Sequence, residues 1–256
     1  MGSKQPEGPP PPPTVQKLRI RYAKRGRLRF TSHRDFARAF ERALRRARVP
    51  MAYSAGFTPH PKVSYANAAA TGVASEAEYL EIGLAEVRDP EQLKIDLDAA
   101  LPEGLDILEV VEAAPGALAD RLEVSHWRIE LPGVDVDEAE RALAAFLAAD
   151  LVEVTRTTKN GPRTFDARAA VLRASLAAAP GTPECGDGTE QAPCAILEVV
   201  VRQVTPAVRP DDVLSGLARV ADLRPPQSPR VTRLAQGLLG ADSAEVHDPL
   251  APASSG

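Results

Sequence analysis

The stretch KLRIRYAKRGRLRFTSHRDFARAFERALRRARVP, from Lys17 to Pro50, decides how the first half of the chain folds. Its first residues alternate between basic side chains, Lys17, Arg19 and Arg21, and apolar ones, Leu18, Ile20 and Tyr22. A period of two predicts a strand with one buried face and one arginine-rich face. After the turn at Gly26, Leu28 and Phe30 either extend this strand or return as a short hairpin.

An amphipathic helix is predicted to follow the strand. The pattern S-x-x-D, from Ser32 to Asp35, is a helix start signal in which the serine caps the first turn. Apolar side chains recur at helical spacing at Phe36, Phe40 and Leu44. A second stripe on the opposite side consists of Arg34, Arg38, Arg42 and Arg45. The helix is expected to run to about Arg48 and to stop before Pro50, with its arginines in solvent.

The remaining elements repeat one order twice. Extended segments are predicted at 51–54, 62–66, 78–84 and 105–111, and a helix at 90–101, where Pro90 takes the favoured first position after Asp89. The order β-α-β-β-α-β is that of a ferredoxin-like domain, and a similar order restarts between His126 and Gln236. We therefore predict an α+β fold of two tandem ferredoxin-like (βαββαβ) domains.

The predicted boundaries divide the 256 residues into four parts. A Pro-rich leader at 1–16 is expected to be disordered, because a proline run forms neither helix nor central strand. It is either a plain leader or a ligand for aromatic-lined grooves. A basic domain at 17–115 and a second domain at 125–240, with a Gly/Pro-rich insertion at 180–194, follow. The tail at 241–256 is expected to be disordered.

Composition predicts a cytoplasmic protein. Membrane partners are excluded because no apolar run approaches the ~20 residues that a membrane helix needs, and the N-terminus lacks the apolar stretch of a secretory signal. The two cysteines, Cys185 and Cys194, form no disulfide framework, which is typical of a reducing compartment. Two thiols cannot complete a tetrahedral zinc site, so we interpret them as incidental.

The net charge of −4 hides a strong segregation of charge. Residues 17–64 carry fourteen basic side chains against Asp35 and Glu41 alone. A positive field on this scale attracts polyanions whatever the overall isoelectric point. Arginine binds phosphate bidentately and stacks on bases, so RNA is the predicted partner of Arg19, Arg21, Arg34, Arg38, Arg42 and Arg45. A solvated helix face, or docking against an acidic protein surface, is the alternative.

A stiff loop from Tyr53 to Lys62 is the second candidate site. Stiff loops on a scaffold often carry binding groups. Aromatic rings beside cations suit stacking on an unpaired base, so RNA contacts are predicted for Tyr53, Phe57, His60 and Lys62. The alternative is a structural turn in which Tyr53 and Phe57 complete the core.

Catalytic chemistry has little to work with in this sequence. The dinucleotide, phosphate-loop, nucleophile-elbow and zinc-ligand patterns are missing, as is a three-cysteine iron–sulfur motif. The sequence contains four histidines. No cofactor and no metal ion are predicted.

Three phrases carry a resemblance to a known family. They are FTSHRDFARAFERALRRA from Phe30 to Ala47, PMAYSAGFTPHPKVSY from Pro50 to Tyr65, and GVASEAEYLE from Gly72 to Glu81. The chain resembles, over about residues 17–240, the radical-SAM-associated proteins, a bacterial domain of unknown function. This resemblance implies work alongside a radical SAM enzyme, which would itself hold the cluster and S-adenosylmethionine. Because many such enzymes modify RNA, it agrees with an RNA-binding accessory protein.

A looser resemblance is to CRISPR repeat-processing endoribonucleases. These enzymes are also built of paired ferredoxin-like units, and can carry a histidine on the helix after the first strand. It implies a metal-independent endoribonuclease in which His33 supplies acid or base catalysis, with His60 as a second candidate. A protein-docking scaffold that binds no nucleic acid is the third hypothesis.

Overall fold

The computed structural model describes residues 12–55, 57–159, 161–177, 193–241 and 244–251. The chain forms two compact units, of which the first (unit 1) comprises Met1–Arg121 and Pro249–Gly256 and the second (unit 2) comprises Leu122–Asp248. Most of the predicted leader and insertion, including Cys185, lies outside the described residues. Among the residues described, no helix has both the length and the apolar character to cross a membrane.

The described part of unit 1 follows the predicted order except at 51–54, which forms no strand: Met51 and Tyr53 make only isolated bridges, to Leu84 and Pro61. Its elements are β1 (Gln16–Lys24), a 3-10 helix (Gly26–Phe30), α1 (His33–Arg46), β2 (Val63–Ala66), β3 (Ala74–Leu84), α2 (Pro90–Ala100), β4 (Ile107–Glu112) and a 3-10 helix (Leu118–Arg121). The strands pair antiparallel in the order β4-β1-β3-β2. Register is set by pairs such as Leu18 with Ile82 and Tyr65 with Leu80.

One apolar core fills the space between this sheet and its two helices. Phe36, Phe40 and Leu44 of α1 are buried in it, as the helical spacing predicts. They join Leu18 and Ile20 of β1, together with Leu80, Ile82, Leu93 and Leu97. The apolar face of β1 is therefore confirmed, and α1 lies on that face of the sheet.

Unit 2 repeats a sheet of the same kind with one added hairpin. Its described elements are β5 (Val124–Pro132), α3 (Val136–Ala148), β6 (Glu153–Thr158), β7 (Gly161–Asp166), β8 (Val171–Leu176), β9 (Cys194–Arg202), α4 (Pro210–Ala221), β10 (Arg230–Leu239) and β11 (Val246–His247). Within this unit the strands run in the order β10-β5-β9-β8. The pairs β5–β10, β5–β9 and β8–β9 are antiparallel, and β11 pairs with β10.

Helices α3 and α4 of unit 2 meet at a glycine. A Cβ placed on Gly216 of α4 would lie only 2.7 Å from Cε2 of Phe146 on α3 and 3.1 Å from Cγ1 of Val152. A Cβ contact of 2.7 Å essentially never occurs in proteins, so a larger residue at this position would push the two helices apart or displace the Phe146 ring. Nearby, Arg156 of β6 donates to Asp212 of α4 at 2.8 Å, and this carboxylate is buried.

Several predicted boundaries need correction. Leu28 and Phe30 belong to a 3-10 helix, not to a strand or hairpin, and α1 ends at Arg46. At 164–178 the sequence alternates weakly and predicts one extended segment, but the structure divides it between two strands: β7 pairs with β6, and only β8 joins the main sheet. Gly161, at φ +103, is the first residue of β7 and pairs with Thr158 of β6.

The ends of the chain also differ from the predictions. Gln16, at the end of the predicted leader, already belongs to β1. In the predicted tail, Val246–His247 form β11, so the expectation of disorder is wrong for these two residues. Leu250 is buried as well.

Candidate functional site

Helix α1 presents a row of arginines because local sequence fixes both its start and its orientation. The Ser32 hydroxyl caps the helix by accepting from the backbone N–H of Asp35 at 3.2 Å. Because Phe36, Phe40 and Leu44 are buried on one face of the helix, the opposite face is directed towards solvent. Four arginines are exposed on that face, Arg34, Arg38, Arg42 and Arg45, which we call the arginine stripe.

Most of the arginine stripe forms no ion pair with the residues that the structure describes. Nη1 of Arg38 lies 4.0 Å from Oδ1 of Asp35, which is a long distance for an ion pair, and both side chains are exposed, so this contact is weak. For Arg34, Arg42 and Arg45, no ion pair occurs with any residue that the structure describes. The helix as a whole carries five arginines against Asp35 and Glu41. A net positive surface remains.

The prediction that β1 presents a second arginine face is wrong at Arg19. Its side chain is only 1% exposed and contacts Glu81 of β3, with Nε 3.3 Å from Oε2. It also donates to the carbonyl of Gly116 at 2.5 Å. Cross-strand pairing brings a carboxylate and a backbone carbonyl to this arginine, so it cannot reach a ligand in solvent.

Other basic side chains near β1 are also matched by acidic partners. Arg21 lies 3.5 Å from Glu109 of β4 and is about one third exposed. Arg25 donates to both Glu76 and Asp106. Hydrogen bonds and the charge of Glu76 raise the pKa of Arg25 above its ordinary value, so its charge is fixed. Carboxylates therefore offset several basic side chains on and beside β1, whereas most of those on α1 have no such partner among the described residues.

Hydrogen bonds close the predicted loop from Tyr53 to Lys62. Ser54 N donates to the carbonyl of His60 at 2.9 Å, and His60 N donates to the Ser54 hydroxyl at 3.0 Å. Tyr53 is 40% and Phe57 70% exposed, and His60 is exposed too. The alternative in which Tyr53 and Phe57 complete the core is wrong.

Lys62 lies apart from the arginine stripe. Val63 and Tyr65 pack against the core, so alternation turns Lys62 and Ser64 to the opposite face of the sheet. There Lys62 Nζ donates to the Thr14 hydroxyl at 2.9 Å. With Lys17 it lines an open depression of about 380 Å³. The structure thus separates Lys62 from the α1 arginines with which it was grouped.

His33 is exposed at the first turn of α1 and contacts a tyrosine. Its ring lies 4.7 Å from the ring of Tyr65, edge to face. Burial, followed by the negative charge of Glu41, raises the pKa of Tyr65 to about 12. The phenol of Tyr65 is therefore protonated near neutral pH. His60, the second histidine candidate, lies on the exposed loop.

One exposed aromatic residue near α1 is absent from the predicted site. Phe30, two residues before the helix cap, is 59% exposed, and the Arg29 guanidinium lies 4.8 Å from its ring centroid. The sequence pattern predicts Phe30 in a strand or hairpin, and it does not indicate whether the side chain is exposed. The only available signal was an arginine directly before an aromatic residue.

The described residues offer little for metal or thiol chemistry. They contain no group of three or more His, Cys, Asp or Glu side chains that could hold a metal ion. Cys194 is disulfide-bonded, so its interpretation as an incidental thiol is wrong. Cys185 is the other cysteine of the sequence and lies outside the described residues.

The fold and the site define a mixed α+β protein, built on antiparallel sheets, that displays an arginine-rich surface helix. The chain belongs to the family described as uncharacterized proteins conserved in bacteria (DUF2344), whose model matches residues 17–210. This confirms the prediction of a bacterial domain of unknown function. No curated protein matches the chain.

Proposed function

We propose that this protein binds RNA through the arginine stripe of α1, as an accessory to an RNA-modifying radical SAM enzyme. The observation that carries the proposal is the exposure of Arg34, Arg38, Arg42 and Arg45 on one helix face with almost no acidic partner. Arg19, although predicted as a ligand, is not part of this site because it is buried.

The spacing of the stripe suits a polyanion. Arg34 and Arg45 are eleven positions apart, which at 1.5 Å per residue separates their Cα atoms by about 16 Å along the helix. Arginine donates two parallel hydrogen bonds to a phosphate and is weakly hydrated, so it pairs readily with successive phosphates. Each neutralised phosphate releases counterions, which makes the affinity depend steeply on salt.

The loop from Tyr53 to His60 is proposed as a second contact, to a base or to the partner enzyme. The hydrogen bonds between Ser54 and His60 restrain the backbone of the loop that carries the exposed rings. A restrained loop loses less conformational freedom on binding, which favours recognition.

Two finer parts of the proposal rest on different observations. We propose that both units are ferredoxin-like, which the orders β4-β1-β3-β2 and β10-β5-β9-β8 support, with β6 and β7 as an added hairpin in unit 2. The partnership with a radical SAM enzyme rests on the sequence resemblance from Phe30 to Glu81. Co-purification of the two proteins after co-expression tests this partnership.

An endoribonuclease is the second candidate function, favoured by the contact between His33 and Tyr65. An exposed histidine can exchange a proton near neutral pH, and a protonated phenol can donate a hydrogen bond to a phosphate oxygen. In this alternative the same stripe would hold the substrate. Cleavage of bound RNA that is lost in His33→Gln distinguishes an enzyme from a binding protein.

The test is binding of a fluorescent RNA of mixed sequence over a salt series, compared with Arg38→Gln/Arg42→Gln. Loss of two phosphate contacts should reduce the slope of log affinity against log salt by about 1.4 for a single strand. The matched control is Arg141→Gln/Arg219→Gln, which removes two exposed helical arginines from unit 2 and should leave the slope unchanged.

The outcomes separate the hypotheses. A shallower slope in the α1 variant alone supports the proposal. Equal slopes in wild type and both variants would show that RNA binds elsewhere and overturn the site. No binding at low salt would overturn RNA binding altogether and favour a scaffold whose arginines dock an acidic protein.

A further inference from the structure

We infer that the RNA bound along α1 is single-stranded, and that Phe30 and Arg29 form a stacking platform for one of its unpaired bases. This inference rests on the proposed RNA binding and deepens it. Its starting observation is an aromatic ring, 59% exposed, that carries a guanidinium 4.8 Å from its centroid. Such a pair lies within the distance at which cations interact with aromatic rings.

The platform is held in place by the backbone around it. The carbonyl of Arg29 accepts from the N–H of Gly72 at 2.8 Å. A Cβ on Gly72 would lie 3.8 Å from Cε1 of Phe30, so the ring rests beside this glycine. Gly72 has φ +92, a conformation that favours glycine, which lets the chain turn at this point. The ring is therefore exposed in a defined position.

The opposite end of the same 3-10 helix is also anchored. The N–H of Arg25 donates to the carbonyl of Gly104 at 2.8 Å, and Leu28 packs against the core of unit 1. Leu28 thus occupies the apolar position of this segment, while Phe30 points away from the core.

The position of Phe30 suits an RNA strand that runs along α1. Thr31 and the cap Ser32 alone separate it from the first turn of the helix that carries the arginine stripe. At the other end, the chain leaves α1 at Arg46 and reaches the exposed Tyr53 seven residues later and the exposed Phe57 eleven residues later. In sequence, exposed aromatic residues therefore lie both before and after the arginine stripe.

This arrangement favours unpaired bases over a duplex. In an A-form duplex the base faces are stacked inside, and proteins contact phosphates and 2′-hydroxyls. Exposed rings gain nothing from such a target. In a single strand, each base can stack on an aromatic ring or on an arginine plane, with little sequence preference. A single strand can therefore place its phosphates on the arginine stripe and its bases on the exposed rings.

The test compares two RNAs of equal length, an unpaired adenine-rich strand and a hairpin duplex, with wild type and Phe30→Ala. Loss of one stacked base should weaken single-strand binding roughly 5- to 100-fold. The salt slope should stay unchanged, because no charge is removed. Duplex binding should not change.

Two further variants control the experiment. Ile95→Ala removes an exposed apolar side chain of 60% exposure from α2 of the same unit and should leave binding unchanged. Phe30→Trp keeps a stacking ring and should retain affinity, with indole fluorescence that is quenched by the single strand and not by the duplex. Urea unfolding of each variant checks that the fold is intact.

Each result has a consequence. Selective loss of single-strand affinity in Phe30→Ala supports the inference. Equal binding of both RNAs, unaffected by Phe30→Ala but still dependent on Arg38 and Arg42, overturns the platform and leaves the arginine site standing. Preference for the duplex overturns the single-strand assignment. Failure to bind either RNA overturns the proposed function as well.

Discussion

Arg19 and Glu81 are cross-strand neighbours in unit 1, with Nε of the arginine 3.3 Å from Oε2 of the carboxylate. The arginine is buried, whereas Lys17, on the same carboxylate at 3.3 Å, is 63% exposed. One glutamate thus holds a buried and an exposed cation. Because of this pair, a strand that is basic in sequence can bury one of its arginines.

Removing the charge of Glu81 should destabilise the protein. In Glu81→Gln the buried Arg19 keeps the Gly116 carbonyl but loses its ionic partner, and breaking a buried pair from one side costs about 3 kcal/mol. Urea unfolding measures this change. Lys17→Gln is the control, expected within about 0.5 kcal/mol of wild type, since exposed pairs contribute little. A Glu81→Gln protein as stable as this control would contradict the prediction.

The ion pair between Arg156 and Asp212 should matter in the same way in unit 2. Arg156 Nη1 donates to Asp212 Oδ2 at 2.8 Å, and the same oxygen accepts from the backbone of Arg209. Asp212→Ala leaves both donors without this acceptor, with an expected loss of about 3 kcal/mol in the free energy of unfolding. Arg224→Ala, which breaks an exposed pair with Asp222, should change it by less than about 1 kcal/mol.

Tyr65 should ionise late in an alkaline titration. Burial and the charge of Glu41 raise its pKa to about 12. The unfolded chain loses this proton near pH 10, so between about 10 and 12 stability falls as pH rises. Glu41→Gln should lower the pKa of Tyr65, and leave it above 10 because burial is the larger cause. Tyrosinate absorbance follows the titration, and Tyr65→Phe identifies the signal. An unchanged profile in Glu41→Gln would rule out the charge effect.

Gly216→Ala should destabilise unit 2 although alanine is the better helix former. The added Cβ would meet the Phe146 ring at 2.7 Å, and overpacking of this kind costs about 1–3 kcal/mol. The gain in helix propensity of about 1 kcal/mol offsets only part of it. Thermal unfolding measures the net loss. Ser215→Ala, one position away and exposed, should stay close to wild type. A more stable Gly216→Ala protein would show that α3 and α4 can separate without loss.

Local signals in the sequence predicted the helices well. The caps at Ser32 and Asp89 accept from the backbone N–H groups of Asp35 and Gln92, as their patterns indicate. Spacing alone predicted the burial of Phe36 and Phe40. Each of these features depends on residues within a turn or two of one another, so no knowledge of the fold was needed.

Features that depend on distant residues were missed. The 3-10 helix at Gly26–Phe30 is held by Gly72 and Gly104, which are far away in the sequence. The exposure of Phe30 follows from those contacts and not from its neighbours. Similarly, alternation in the 164–178 segment could not show that β7 pairs with β6 and β8 with β9.

The sequence by itself determined that α1 has an apolar and an arginine face, that positive charge is concentrated in residues 17–64, and that the chain belongs to its bacterial family. Only the tertiary structure decided which of those charges are free. Antiparallel pairing places Glu81 and Glu109 beside Arg19 and Arg21. Acidic partners come from strands far along the chain, and an isolated count of charge cannot include them. On α1, whose apolar face packs on the sheet and whose arginine face is exposed, the charge that the sequence predicts is the charge that remains.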